Sequence, residues 1–400
     1  MKIALVSPYD YAYPGGVAYH ISSLERQFTK AGHQVKVIAP SSKIIKGLDD
    51  RFIRIGRPWP IPARGTVPRI AISQTMSSKI KDVLEREQFD IVHLHEPFMP
   101  MLCVNVLRFS NTVNIGTFHA YEGSPGYDFG KPVTTAMLRR WSGRLDGRIA
   151  VSRPAMEYVS DYFPGEYTII PNGVDLKHFS PDVAPINEYC DGKANVLFVG
   201  RLEKRKGLNY LLGAFQIIKK EVPESRLIVV GPGTVLRRRY EEWVNDRDIK
   251  DVVFTGQVSH DDLPRYYQTA DIFCAPATGG ESFGFVLLEA MSMGKPIIAS
   301  KINGYASVLT DGSEGLLVPP REKARLAKSI VALLADKSLR QQMGERGRIK
   351  AQDYSWESVA QRILDYYYMV MNDFKGRKRT SFRQRVKNRL DNALLRSNNQ

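Results

Sequence analysis

Cysteine is scarce in this chain: three residues in 400, Cys103, Cys190 and Cys274, stand far apart with no CxxC pair. That argues against a disulfide framework or a zinc site, and it fits a reducing cytoplasm. Long apolar runs are missing too. The apolar stretch at the N-terminus is too short for a signal-peptide core and meets Pro8 at once, and nothing later approaches the length of a bilayer crossing. Neither export nor a membrane span is expected. The first strand is not followed by GxGxxG, so a dinucleotide site has no support. Acidic residues are in deficit, 42 against 57 Lys and Arg, for a net charge of +15. Yet no basic patch is interleaved with aromatics and no nucleic-acid module is recognisable, so nucleic acid is not an expected partner.

What is present is ordinary globular material, 43% hydrophobic and 25% charged, in a chain long enough to divide into two cores. Ile3 to Ser7 reads as a short buried strand, Pro8 to Gly16 (PYDYAYPGG) as a loop, Val17 to Ala31 as an amphipathic helix closed by Gly32, and Gln34 to Ala39 as the next strand. In such a βαβ opening the first loop lies at the carboxyl end of the sheet, where Gly15 and Gly16 let backbone approach a ligand; a tight turn is the plainer reading. Arg57 to Pro68 holds four prolines and reads as an irregular surface excursion. Ile72 to Glu87 is a mildly basic amphipathic helix with Lys79 and Lys81 outside. Phe89 to Leu94 ends at His95-Glu96, and Val113 to Phe118 ends at His119. His93 and His95 are read as alternating between faces, which would keep them out of a single site, and no metal is expected. His119, followed by the Gly-rich loop AYEGSPGYDFG, is the functional candidate among the histidines, a structural role being the alternative. Strands at Arg148 to Val151 and Tyr167 to Ile170 flank a helix from Pro154 to Asp161. Pro171-Asn172-Gly173 then opens a turn-rich segment, to Lys193, that reads as a linker.

A second alternation of strands and helices starts at Asn195. Two doubly wound α/β domains facing a central cleft follow from it. Between its first strand and helix lies GRLEKRKG, whose Arg201 and Lys206 suit a diphosphate beside a helix N-terminus. Ala270 to Pro276 is a buried strand, Gly279-Gly280 breaks it, and Ser282 to Met293 reads as a helix capped by Gly294. Glu281 sits in the turn and Glu289 about two helical turns further on, spaced to touch different parts of one elongated ligand. From Arg321 to Asp373 the pattern is helical and ends rich in aromatics.

Eight of the fifteen excess positive charges lie beyond residue 374, where nine Lys and Arg face only Asp391. A solvated basic terminus is one reading. The other is a cationic helix with Phe382, Val386, Leu390 and Leu394 along one stripe, suited to an anionic membrane surface.

Taken together, PGG after the first strand, GTFHA, IPNGVD, GRLEKRKG, GQV and ESFGFVLLE resemble the family 4 retaining glycosyltransferases, over residues 1 to 372 and in the same order. PYDYAYPGGVAYH, HLHEPFMP and GGESFGFVLLEAM are similar to segments of the bacterial phosphatidylinositol mannosyltransferases. The resemblance implies a GT-B fold. Residues 1–172 would form an acceptor-binding Rossmann-like domain, 173–193 a linker, 194–358 a nucleotide-sugar-binding domain, 359–374 a helix crossing back, and 375–400 a basic tail. It implies donor contacts from Gly15, Gly16, Arg201, Lys206, Val258, Ser282, Phe283, Gly284 and Glu289, the last on ribose. Catalytic contacts would come from Glu281, His119, Arg201 and Lys206, with Tyr9, Tyr13 and His119 toward the acceptor. The donor would be GDP-mannose or a UDP-hexose, since His260 and Leu263 replace residues thought to read guanine. The acceptor would be a lipid such as phosphatidylinositol or diacylglycerol, although Tyr13 replaces an acid; a soluble or polysaccharide acceptor is the alternative, and an inactive body of this fold binding nucleic acid through its basic tail the remote one. No essential metal is implied, and no convincing Asp-x-Asp motif is present. The expected location is the cytoplasmic face of the membrane, held peripherally through Lys79, Lys81, Arg383, Arg385, Lys387 and Arg389.

Overall fold

A computed structural model describes residues 1–13, 15–45, 47–60, 69–72, 76–120, 133–233 and 235–397, with the backbone alone at 72, 133–137 and 377–397. The loop expected after His119 lies, from residue 121 on, outside the described residues.

The N-terminal half contains strands β1 (Lys2–Val6), β2 (Gln34–Ala39), β3 (Phe52–Arg54), β4 (Arg57–Pro60), β5 (Arg69–Ile72), β6 (Ile91–His95), β7 (Val113–Phe118), β8 (Gly147–Ala150) and β9 (Thr168–Ile169). Seven of them form one sheet in the order β3-β2-β1-β6-β7-β8-β9, and every pairing in it is parallel. Helices cover both faces, so its central strands read as continuous apolar runs such as Ile3 to Val6, each fully buried. One face packs against α2 (Met76–Glu87), α3 (Leu102–Phe109) and α5 (Arg153–Ser160), and the other against α1 (Gly16–Lys30); α4 (Val133–Ser142) adjoins α3. Arg57 to Pro60 is not the irregular excursion that its prolines suggest. It pairs antiparallel with β5 as a two-stranded ribbon, where both strands are edges and edges tolerate proline. Ile72 ends that ribbon, and α2 starts only at Met76.

The C-terminal half repeats the plan with β10 (Ala194–Val199), β11 (Ser225–Val230), β12 (Val252–Gly256), β13 (Ile272–Ala275), β14 (Ile297–Ser300) and β15 (Gly315–Val318), ordered β12-β11-β10-β13-β14-β15 and all parallel. Around them lie α6 (Leu208–Glu221), α7 (Leu236–Asp246), α8 (Leu263–Thr269), α9 (Phe285–Ser292), α10 (Asn303–Ala306), α11 (Lys323–Ala335) and α12 (Lys337–Ala351).

Two chain crossings join the halves side by side. The Val174 N–H donates to Tyr354 O (2.8 Å) and the Trp356 N–H returns to Val174 O (3.2 Å). Trp356 opens α13 (Trp356–Ser397), and with Val359, Ile363, Leu364, Tyr367 and Val370 it completes the N-terminal core beside α1. A Cβ at Gly173 would fall 2.6 Å from the Trp356 ring, and one at Gly147 would fall 2.9 Å from the Tyr366 hydroxyl. That hydroxyl accepts from Arg148 N–H (2.9 Å). The crossing helix and the tail distinguished in the sequence lie on this one helix, which continues to Ser397; the side chains of the Phe382, Val386, Leu390, Leu394 stripe are outside the described residues. All three cysteines are free thiols.

Because Trp356 is 2% exposed and joins both crossings to the N-terminal core, Trp356→Ala is expected to cost about 3–5 kcal/mol, read as a lowered urea midpoint.

Candidate active site

Each sheet reverses its strand order once, between β1 and β6 and between β10 and β13. Loops diverge at such a reversal and leave a crevice at the carboxyl ends of the strands. The two crevices face each other across one cleft of about 640 Å³, within the size range of small-molecule sites. Tyr13, Gly15, Gly16 and His119 line it from the first domain. Arg201, Lys206, Val258, Glu281, Ser282, Phe283, Gly284 and Glu289 line it from the second. Tyr9 is not among the lining residues; it bridges to Ile70, and burial together with nearby Glu96 raises its phenol pKa well above the usual value.

Close backbone contacts set the loops of the second domain. Gly207 has φ +72 and a Cβ there would sit 1.9 Å from Pro276 O, which locks the loop after β10 onto the loop after β13. The Thr278 N–H donates to Arg205 O (2.7 Å) across the same seam. Glu281 lies in the loop as expected, but the loop runs on through Ser282, where the helix was expected to start: Gly279, Gly280 and Gly284 hold φ at +148, +71 and +114, and α9 starts at Phe285. Gly284 caps α9 without a side-chain bond, and Gly284, Phe285 and Val286 at the start of the helix line the cleft, where a helix N-terminus offers unpaired N–H groups.

Charges alternate along these loops. Arg201 meets Glu203 (3.3 Å), Glu203 meets Arg205 (2.9 Å), and Glu281 is held by Arg205 and by Lys206 (2.7 Å). Burial pushes the Glu281 carboxyl pKa up, but Lys206 and Arg205 outweigh it and hold the group below its ordinary value. Arg205, which also donates to Gly280 O (3.1 Å), was not distinguished by the sequence. The signal available was only its place inside GRLEKRKG. Glu289 is set differently. Burial raises its carboxyl pKa from 4.5 to about 7, against the lowering effect of the Tyr267 hydroxyl (2.8 Å) and Lys206.

Across the cleft stand four histidines. Strand side chains repeat every second residue, so His93 and His95 share a face, contrary to the alternation expected, and their rings lie 4.3 Å apart. His93 is bonded at both nitrogens, to Thr117 Oγ1 and the Tyr367 hydroxyl, each at 2.6 Å. His20, one turn into α1, donates from Nδ1 to Asn172 Oδ1 (2.8 Å). His95 Nδ1 lies 3.1 Å from His119 Nε2, and the His119 N–H donates to Glu96 Oε1 (2.6 Å). Burial lowers all four pKa values, His20 to about 4 and His93 to about 3, with neighbouring rings adding to the effect on His93, His95 and His119. The cluster is therefore neutral at physiological pH.

On the opposite domain, Leu263 lines the cleft while His260 stacks on His178 at 4.0 Å. Of the surface lysines, Lys79 and Lys81 are exposed on α2, with Lys81 Nζ 4.8 Å from the Phe109 ring centre. The side chains of Arg383, Arg385, Lys387 and Arg389 lie outside the described residues.

A carboxyl that is a weaker acid folded than unfolded favours folding below its unfolded pKa, and that benefit is lost as pH rises through the folded value. Glu289→Gln is therefore expected to leave stability unchanged near pH 4 and to raise it by roughly 3 kcal/mol near pH 8, measured by urea denaturation at both pH values.

Comparison with known proteins agrees with this geometry. The family description "Glycosyltransferase Family 4" matches residues 14–178, and "Glycosyl transferases group 1" matches residues 185–350. The chain is 35% identical to the phosphatidyl-myo-inositol mannosyltransferase of Mycobacterium leprae over 92% of its own length and 97% of that protein's. It is 31% identical to the protein of the same name from Propionibacterium freudenreichii, over 94% and 96%. Among solved structures, sucrose-phosphate synthase from Thermosynechococcus elongatus superposes with a TM-score of 0.74 at 23% identity, covering 93% of this chain and 99% of that one. Anabaena HepE in complex with UDP does so at 0.73 and 18%, covering 92% and 100%. With two facing parallel-sheet domains and relatives that match along nearly its whole length, the chain belongs to glycosyltransferase family 4 and has the GT-B fold.

Proposed function

We propose that the protein transfers a hexose, with retention of configuration, from a nucleotide diphosphate sugar to a membrane lipid of the phosphatidylinositol or diacylglycerol type. The mannosyltransferase names of its relatives favour mannose and the inositol lipid. GDP-mannose is the first choice of donor and a UDP-hexose the second. The observation that carries the reading is Glu281, clamped by Lys206 and Arg205 on one wall of a cleft that has Gly16 and His119 on the other.

Transfer breaks the bond between the sugar's anomeric carbon and the diphosphate, and forms one to the acceptor oxygen on the same face. The acceptor's proton passes to the departing phosphate, so no protein base is required. Negative charge grows on the diphosphate and positive charge on the sugar. Arg201, Lys206 and the N–H groups at the start of α9 are fixed donors for the former. Gly15 and Gly16 bring backbone to the phosphates from the other side. When the diphosphate claims Lys206, Arg205 still keeps Glu281 ionised and oriented toward the sugar hydroxyls. Glu289, steadied by Tyr267, takes the ribose. Ser282, Phe283 and Gly284 floor the sugar subsite, and Val258 lies beside the base. His119 borders the reacting carbon, and Tyr13 marks the acceptor entrance, with Tyr9 behind it. No metal is required.

No helix among the described residues is long and apolar enough to cross a membrane. The reading places the protein peripherally on the inner face, through the basic end of α13 and the exposed lysines of α2.

Incubating nucleotide sugars one at a time with a bacterial lipid extract, and identifying products by mass, is expected to give one hexosylated lipid. Lys206→Ala and Glu281→Ala are each expected to lower kcat on the order of 10²–10³-fold, and undiminished transfer by either would contradict its assignment. Flotation with anionic vesicles should recover the full chain and lose the form ending at residue 374. Equal recovery of both forms removes the tail from the reading, and failure of both would favour a soluble acceptor.

A further inference from the structure

The four clustered histidines are not equivalent. His93 has both ring nitrogens satisfied, by Thr117 and Tyr367. His20 and His95 do not: each is at most 1% exposed, and each has an Nε2 with no hydrogen-bond partner among the described residues. An unsatisfied buried imidazole nitrogen costs on the order of 1–3 kcal/mol, and here two of them adjoin a third histidine that reaches the cleft.

The spacing of the three rings has a meaning. Ligand nitrogens of His20, His95 and His119 all lie within 4.8 Å of one another. Their ring centres are separated by 5.2 Å (His20–His95), 4.8 Å (His20–His119) and 5.4 Å (His95–His119). Three imidazoles bound at about 2.0–2.1 Å around a tetrahedral cation place their ring centres about 5 Å apart. The surroundings are those of a ligand set as well. Asn172 Oδ1 takes the Nδ1–H of His20, which leaves the lone pair on Nε2, the tautomer a metal needs and the kind of outer partner that fixes it. The Glu96 carboxylate, which accepts from the backbone N–H of His119, supplies compensating negative charge nearby.

We propose that His20, His95 and His119 form a site for a borderline divalent cation such as Zn²⁺, and that its occupation inhibits the enzyme. Three neutral imidazoles without thiolate or carboxylate select zinc, cobalt, nickel or copper over magnesium or calcium. Fewer than four protein ligands leave a coordination position open toward the cleft. A doubly charged ion there opposes the positive charge that develops on the sugar and withdraws His119 from it. The inhibitory effect rests on the reading of His119 as a residue beside the reacting carbon; the binding itself does not.

The test uses the full chain without an affinity tag, titrated with Co²⁺ and read by visible absorption. One equivalent should give the intense bands of a four-coordinate site, and Zn²⁺ should abolish them. His20→Ala and His95→Gln should lose the bands while keeping a native circular dichroism spectrum. Asn172→Ala, which touches no cation, should weaken binding about 10- to 100-fold. The stacked pair His178 and His260 is the competing source of binding, so the His178→Ala/His260→Ala variant should keep the bands. No bands, bands that survive His95→Gln, or bands lost with His178 and His260 would each overturn the site. In the transfer assay, equimolar Zn²⁺ should inhibit and a chelator restore; binding without inhibition would overturn the inhibitory role. Should no sugar be transferred at all, the proposed reaction fails while the cobalt spectrum still decides whether the site exists.

Discussion

The Glu281 carboxylate between two cations is the constraint from which the second-domain wall of the cleft follows. Enclosing a carboxylate is costly unless cations and hydrogen bonds meet it, and loss of one partner costs more than the pair contributes. Lys206 and Arg205 meet it only because the loop after β10 lies directly on the loop after β13. That contact leaves no room for a side chain at Gly207, and α10 packs as closely on the other side, where a Cβ at Gly304 would fall 1.9 Å from the Glu281 carbonyl oxygen. Two glycines far apart in sequence thus hold one carboxylate in place, and Arg201, Lys204, Arg205 and Lys206 against Glu203 alone leave the loop cationic even after Glu281 is counted.

Much of the fold was legible in the sequence, because parallel strands buried on both faces leave short apolar runs at regular intervals. IALVS, QVKVIA, NVLFVG and RLIVVG each fall on a strand within a residue or so. The glycines and cations that line the cleft were legible for a related reason, since a loop at a strand's carboxyl end is the usual ligand loop of such sheets. The β4–β5 ribbon was not, because proline argues against a strand unless the strand is known to be an edge, and edges are a property of the assembled sheet. Arg205 was hidden among neighbouring cations, and only the fold decides which of them turns toward Glu281.

The histidines show a different limit. Residues 93 and 95 on one strand share a face by the elementary period of a strand, so that part was open to a correct reading from the start. His20 was not. It reaches the cluster from α1, and its partner Asn172 comes from the loop after β9, 152 residues along the chain. No local pattern connects them. The same holds for Tyr367, which fixes His93 from α13 across 274 residues.

The return of α13 to the first domain also has a consequence for the order in which the protein is made. The face of the N-terminal sheet beside α1 is finished by Trp356, Val359, Ile363, Tyr367 and Val370, residues that leave the ribosome only after the entire second domain. Until then the first domain has an open apolar face, the condition under which nascent chains misassociate. A gene split at the linker would therefore not yield two self-sufficient halves. Its first half would lack one side of its own core, and the missing cover would be carried by the C-terminal end of the second fragment.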